Sequence, residues 1–276
     1  MSAQSGQRIQ PVGASRRVEA NGIQLHYLEY GHGEPAIFIV PGITSPAITW
    51  EFVAVELARE ARVIVLDVRG RGLSETGSGY TLENYAGDVA GLVAAVAPEF
   101  TVLLGHSMGA RIVVATAARN LGLAEATIVV DPPLSGPGRA PYPFPLDVYV
   151  NALAEARRGA TADDMARYYP TWPRRELEIR AQWLATCNEE AVVETYRNFH
   201  QEDFFDYWPS VPSPVLFISG AQSPVVPEAA LAEVLAKNQA AELVSIAGAG
   251  HMVPFENLSG FVTVVLEFVA RVTGRP

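Results

Sequence analysis

Thr101-Val-Leu-Leu-Gly-His-Ser-Met-Gly-Ala110 decides the reading of this chain. Four residues suited to a strand run into Gly105-His106-Ser107-Met108-Gly109, and a helical run follows from Ala110 to Asn120. G-x-S-x-G between a strand and a helix marks a very tight turn with the serine at its apex. The residues two before and two after that serine lie close to it and to adjoining backbone. Glycine has no Cβ to clash there, which accounts for Gly105 and Gly109. The turn lifts Ser107 Oγ into the open above the sheet. It also aims the Met108 N–H, at the new helix's N-terminus, at any oxyanion formed beside it. Ser107 is the candidate nucleophile.

Outward from this turn, strands and helices alternate. Arg16–Ala20 and Ile23–Tyr30 form a hairpin through Asn21-Gly22. Ala36–Val40, Val63–Leu66 and Val102–Leu104 are the apolar runs of strands buried on both faces. Helices are expected over Thr49–Glu60 and from Thr81, an N-cap, to about Ala97. The pattern resumes with strands Thr127–Val130, Pro214–Ile218 and Glu242–Ile246 and helices Glu228–Lys237 and Asn257–Val272. This is the signature of a mostly parallel, doubly wound α/β sheet. Between Pro132 and Pro212 it breaks into a proline-rich connector and three helical stretches, Leu146–Arg158, Ala162–Tyr169 and Arg175–Phe205, rich in aromatics. Long insertions of this kind commonly cover active sites. The expected division is a flexible 1–15, a core of 16–133 and 210–276, and a helical cap over 134–209.

Composition narrows the function classes. With 276 residues, 49% apolar and 18% charged, the chain can bury a large core. A net charge of −10 argues against a nucleic-acid surface and against anionic membrane. The single cysteine, Cys187, rules out an internal disulfide and suits a reducing cytoplasm. Met1–Val18 is polar and lacks the apolar segment of a signal peptide, so a cytoplasmic location is expected.

A serine nucleophile needs a base, and histidine is the usual one. Of five histidines, His26 and His32 fall in an early strand and its turn, His106 points away from the apex, and His200 lies on a cap helix. His251 follows the last strand through Ala247-Gly-Ala-Gly250, at the sheet edge where open α/β sheets bind ligands. It is the expected general base and acid. Two strand ends could supply the acid that orients it: the segment Gly220–Pro227 and Asp131.

Gly105-His-Ser-Met-Gly109, Asp67-Val-Arg-Gly-Arg-Gly-Leu-Ser74, Pro41-Gly42 and Gly248-Ala-Gly-His251 together resemble the α/β-hydrolase family, from about Val18 to Val272. The resemblance implies the α/β-hydrolase fold: a mostly parallel eight-stranded sheet with flanking helices and an inserted helical cap. Most of the family carries its acid in G-x-x-D-x-x-x-P after the later strand, where this chain has Gly220-x-x-Ser223-x-x-x-Pro227. A minority carries it after the preceding strand, which implies Asp131 here. The oxyanion hole is expected from the N–H groups of Met108 and Ile43. Whether Thr44 or Ser45 adds a hydroxyl stays open.

A serine nucleophile implies acyl transfer and hydrolysis. No metal-site spacing is readable and no cofactor is expected. The displaced acid and short cap further resemble family members that cleave the C–N bond of a small anionic N-formyl amide. On that reading Gly42, Tyr168, Trp172 and Arg174 are candidate substrate contacts, Arg174 being one of several cap arginines. The same elbow serves a carboxylesterase or enol-lactonase, a C–C bond hydrolase, or a non-catalytic ligand-binding protein on the same fold.

Overall fold

Asn21 and Gly22 both take positive φ, 50° and 75°, and fold β1 (Ala14–Ala20) back onto β2 (Ile23–Tyr30). Asn-Gly adopts such a turn at little steric cost. The computed structural model describes residues 8–275. After the hairpin come β3 (Ala36–Val40), α1 (Glu51–Leu57), β4 (Arg62–Asp67), α2 (Leu82–Val96), β5 (Thr101–His106), α3 (Met108–Arg119) and β6 (Ala126–Val130). The insertion supplies α4 (Leu146–Arg157), α5 (Ala162–Ala166), α6 (Arg174–Trp183) and α7 (Glu189–Gln201). The chain then closes with β7 (Val215–Gly220), α8 (Glu228–Lys237), β8 (Ala241–Ile246), α9 (Val253–Glu256) and α10 (Leu258–Thr273).

The eight strands lie in the order β1-β2-β4-β3-β5-β6-β7-β8. β2 runs antiparallel to both neighbours, and the other pairs are parallel. β3, β5, β6 and β7 are buried along their whole length. Alternate residues serve opposite faces, as a period of two demands. Phe38, Leu103, Val129 and Phe217 pack with α2, α3 and the insertion. Ile37, Ile39, Leu104, Ile128 and Ile218 pack with Trp50 and with Phe261 and Phe268 of α10. Between these layers the C-terminal strand ends stay aligned, with His106 opposite Val130 and Val130 opposite Ile218. Among the described residues, no helix is long and apolar enough to cross a membrane.

Two helix expectations change. Of the segment 1–15 expected to be flexible, residues 1–7 lie outside the described ones, and Ile9 and Val12 make hydrogen bonds. The Ile9 N–H donates to Gln182 Oε1 at 2.6 Å, Trp183 Nε1–H donates to the Ile9 carbonyl at 3.0 Å, and the Val12 N–H donates to Glu51 Oε2 at 2.6 Å. β1 then begins at Ala14. The expected helix Thr49–Glu60 is a 3-10 turn, Ala47–Trp50, followed by the short α1. The long helix expected over Arg175–Phe205 is divided at Cys187. Asn188 accepts a hydrogen bond from the Ala191 N–H and gives its own N–H to the Gly70 carbonyl, so a new helix starts there.

Candidate active site

The ladder of the sheet continues one residue beyond two strand ends. The Ser107 N–H donates to the Val130 carbonyl at 2.9 Å, and the Asp131 N–H donates to the Ile218 carbonyl at 2.8 Å. Both residues are forced into positive φ, 56° for Ser107 and 47° for Asp131. Such backbone costs on the order of 1–3 kcal/mol per residue and persists only where the surroundings hold it. Here β3 and α3 do so. A Cβ on Gly109 would sit 1.8 Å from the Val40 carbonyl oxygen, and one on Gly105 would sit 2.1 Å from that of Gly109. The two glycines let the helix start against the strand ends with Ser107 at its apex.

His251 reaches the same place from β8. Its Nδ1–H donates to Asp131 Oδ2 at 2.7 Å. That fixes the tautomer, so Nε2 accepts from Ser107 Oγ–H at 3.0 Å. Asp131 is fully buried and accepts two further hydrogen bonds, from the Gly220 N–H at 3.0 Å and from Ser223 Oγ–H at 2.6 Å. Ser223 stands at the position where the resemblance to the α/β-hydrolase family led an acid to be expected. Read from sequence it was only an absence, yet its hydroxyl braces the carboxylate that replaces it. Ser223 Oγ is itself held by the N–H groups of Val225 and Val226.

His106 points away from Ser107 Oγ but has a task. Its Nε2–H donates to the His251 carbonyl at 2.8 Å. Burial, reinforced by the nearby His251, lowers its pKa to about 3, so the ring stays neutral. Tyr142, from the connector, packs edge-on against His251. Its hydroxyl is 3.4 Å from His251 Nε2 and 3.0 Å from the Tyr149 hydroxyl. Nothing in the sequence singled it out.

The Pro41–Ser45 loop lies beside Ser107. A Cβ on Gly42 would be 3.5 Å from Ser107 Cβ. Among the described residues the Ile43 N–H has no hydrogen-bond partner. The Met108 N–H is the first of α3, where no intrahelical acceptor exists. Arg71 sits behind both, fully buried. Its Nε–H donates to the Ile43 carbonyl at 3.0 Å, and its Nη2 lies 3.7 Å from Met108 Sδ and 3.0 Å from Thr195 Oγ1 of α7. One guanidinium thus ties the two N–H-bearing residues to the insertion.

Above Ser107 and His251 is a cavity of about 360 Å³, walled by Gly42–Ser45 below and by Phe144, Tyr149, Tyr168, Tyr169 and Trp172 above. This size and apolar lining suit a small molecule. Trp172 stacks on Phe255 with ring centroids 3.9 Å apart. Of the expected contacts, Gly42, Tyr168 and Trp172 line the cavity and Arg174 does not. Arg174 opens α6, its side chain is 60% exposed, and it pairs with Asp163 and Glu178. The arginine in the cavity wall is Arg180, further along the same helix on its buried face. Thr44 Oγ1 accepts a hydrogen bond from Arg180 Nη2. His200 is a packing residue, accepting from the Tyr142 N–H at 3.2 Å. Asp67 holds the buried His26 at 2.6 Å and accepts the Ala47 and Leu73 N–H groups. Cys187 is buried, and burial pushes its thiol up to about 11. Among the described residues no group of three or more His, Cys, Asp or Glu side chains is gathered as a metal centre requires.

Comparison with known proteins agrees with this architecture. The family model described as the alpha/beta hydrolase family matches residues 37–263. The chain is 41% identical to an N-formylmaleamate deformylase of Pseudomonas putida over 93% of its length and 96% of that protein. It is 30% identical to a 2-(acetamidomethylene)succinate hydrolase of Mesorhizobium japonicum, over 87% of this chain and 89% of the other. A crystal structure of an N-formylmaleamic acid deformylase from Pseudomonas putida superposes with a TM-score of 0.88 at 38% identity, covering 91% of this chain and all of that one. A turn built for a strained serine, a sheet in this strand order and a match across most of the chain lead to one conclusion: the protein belongs to the alpha/beta hydrolase family.

Proposed function

We propose that the protein is a serine hydrolase of small N-formyl amides, converting N-formylmaleamate and water to maleamate and formate. The observation that carries this reading is the continuous relay from Ser107 Oγ through His251 to Asp131, at 3.0 and 2.7 Å, under a small aromatic cavity. The relatives whose names specify a deformylase and an acetamidomethylene hydrolase support the substrate class.

Ser107 Oγ attacks the formyl carbon while His251 Nε2 takes its proton. The Ile43 and Met108 N–H groups receive the oxyanion of the tetrahedral intermediate. His251, held by Asp131, then returns the proton to the nitrogen. That nitrogen lies between two carbonyls and leaves more readily than an ordinary amide nitrogen. The C–N bond breaks, maleamate departs and Ser107 carries a formyl ester. Water, deprotonated by His251, attacks the ester, and His251 returns that proton to Ser107 Oγ as the C–O bond breaks; formic acid leaves and ionises to formate. The lone buried thiol suits a reducing compartment, and a cytoplasmic location is part of the proposal.

The test is a substrate panel of N-formylmaleamate, 4-nitrophenyl acetate and an enol-lactone, followed by formate release and product analysis. Formate equimolar with maleamate, at a kcat/KM well above the other two substrates, is expected. An enzyme that turns over the ester or the lactone but releases no formate would refute the assignment.

A further inference from the structure

Arg180 is the lone lysine or arginine among the residues lining the cavity. Only 2% of it is exposed. Its protein partners are neutral: Nη1–H donates to the Thr44 carbonyl, and Nη2–H donates to Thr44 Oγ1 at 2.6 Å and to the Tyr169 hydroxyl at 2.9 Å. A guanidinium has five N–H donors, so donors remain, and the buried Nε–H has no partner at all. The two arginines that open the same helix differ. Arg174 pairs with Asp163 and Glu178, and Arg175 pairs with Glu51. Arg180 has no such carboxylate among the described residues.

A guanidinium stays charged in any protein, and a buried charge without a counter-charge is costly. Two other buried arginines also bond to neutral groups, but they do not line the cavity. Arg71 is spent on Ile43, Arg69, Tyr85 and α7. Arg111 bonds to the carbonyls of Pro133, Ser135 and Glu202. Arg111 Nε is unpartnered as well, but of the three only Arg180 lines the space above Ser107, and it does so without a counter-charge. The chemistry that completes it is a carboxylate, which supplies the missing negative charge and accepts from a donor that Thr44 and Tyr169 leave open. Glu256, the acid in the cavity wall, accepts the Gly250 N–H at 2.5 Å.

We propose that Arg180 is the receptor for the carboxylate of the substrate, holding the leaving amide under the cap with its formyl carbon over Ser107. The inference rests on the amide-hydrolase reading of this cavity and adds the group that sets its specificity. Placement follows from the tether to Thr44, the neighbour of Ile43. Arg180 holds Thr44 and Arg71 holds the carbonyl of the adjoining Ile43, so a substrate seated on Arg180 is brought into register with Ser107. Because Arg180 comes from α6 and Thr44 from the core, the site also spans the junction between insertion and sheet.

The experiment compares kcat/KM for N-formylmaleamate and for its neutral analogue, with a carboxamide in place of the carboxylate, on wild type, Arg180→Gln and Arg180→Lys. The wild type is expected to favour the anion by on the order of 100-fold, the size of a buried charged interaction. Arg180→Gln should bring that ratio close to one, and Arg180→Lys should keep part of it. A wild type without preference, or a glutamine variant that loses both substrates equally, would overturn the proposal. Calorimetric titration of maleamate and its neutral diamide into wild type and into Ser107→Ala reads the same preference without turnover. If wild type releases no formate yet binds the anion preferentially, the hydrolase reading fails and the anion receptor stands. If it releases formate but binds both equally, the receptor fails and the hydrolase stands.

Discussion

Asp131→Asn puts the candidate relay under the most specific stress. The Asp131 carboxylate accepts three donors: Gly220 N–H at 3.0 Å, Ser223 Oγ–H at 2.6 Å and His251 Nδ1–H at 2.7 Å. Asparagine offers one acceptor oxygen in the same volume. With that oxygen toward Gly220, its NH2 faces both Ser223 and His251. The imidazole then turns to the tautomer with Nδ1 bare and Nε2 protonated, and Nε2 no longer accepts the proton of Ser107. Loss of the orienting carboxylate in this arrangement costs on the order of 10⁴ in kcat, about 5 kcal/mol of barrier. The site is fully buried, so unsatisfied donors should also cost about 1–3 kcal/mol of stability. The assay is formate release at saturating substrate, with urea unfolding run beside it to separate catalysis from folding. A second variant sharpens the result. Ser223 Oγ is 2.6 Å from Asp131 Oδ2, so Asp131→Asn combined with Ser223→Asp places a carboxylate within reach of His251. It should recover at least about tenfold of the lost rate if orientation is the role. A folded Asp131→Asn enzyme that keeps kcat within tenfold of wild type would refute the reasoning.

Two other outcomes are expected. Arg71→Lys removes the fork that binds the Ile43 carbonyl and α7 together, and should lower kcat by roughly 10- to 100-fold with little change in KM, measured by steady-state kinetics. His106 has its pKa lowered to about 3 by burial, against an ordinary value of 6.5. The unfolded chain therefore takes up a proton below about 6.5 that the folded protein refuses. The stability from this depressed folded pKa is present above 6.5 and is lost as pH falls toward 3, up to roughly 5 kcal/mol. Denaturant unfolding between pH 7 and pH 4 should show a shallower loss for His106→Asn than for wild type, and equal slopes would contradict the linkage.

The parts legible in sequence are those that close contacts impose. Gly105 and Gly109 could be read because a Cβ at either would overlap backbone. The buried strands could be read because their apolar runs are continuous, and Asn21-Gly22 because few other pairs take two positive φ angles. Ser107, Asp131 and His251 meet because each follows a strand that the sheet order sets at the same edge. What stayed hidden depends on partners far apart in sequence. Ser223 looked like a gap because its worth lies in a hydroxyl aimed at Asp131, 92 residues away. Arg174 and Arg180 share a helix, and only the packing of α6 decides which faces water and which faces the cavity. Arg71, in a glycine-rich turn, gave no sign that it is buried and reaches both Ile43 and α7. The helix break at Cys187 has a local part, the Asn188 cap on the Ala191 N–H, and a part no local pattern encodes, the hydrogen bond from the Asn188 N–H to Gly70.

The central claim, that Ser107 is the nucleophile for N-formyl amide hydrolysis, is tested most directly by formate release from N-formylmaleamate with wild type and Ser107→Ala. The expected result is rapid release by wild type and a fall on the order of 10⁶-fold in the variant, with the fold unchanged by circular dichroism. A folded Ser107→Ala protein that turns over at close to the wild-type rate would contradict it.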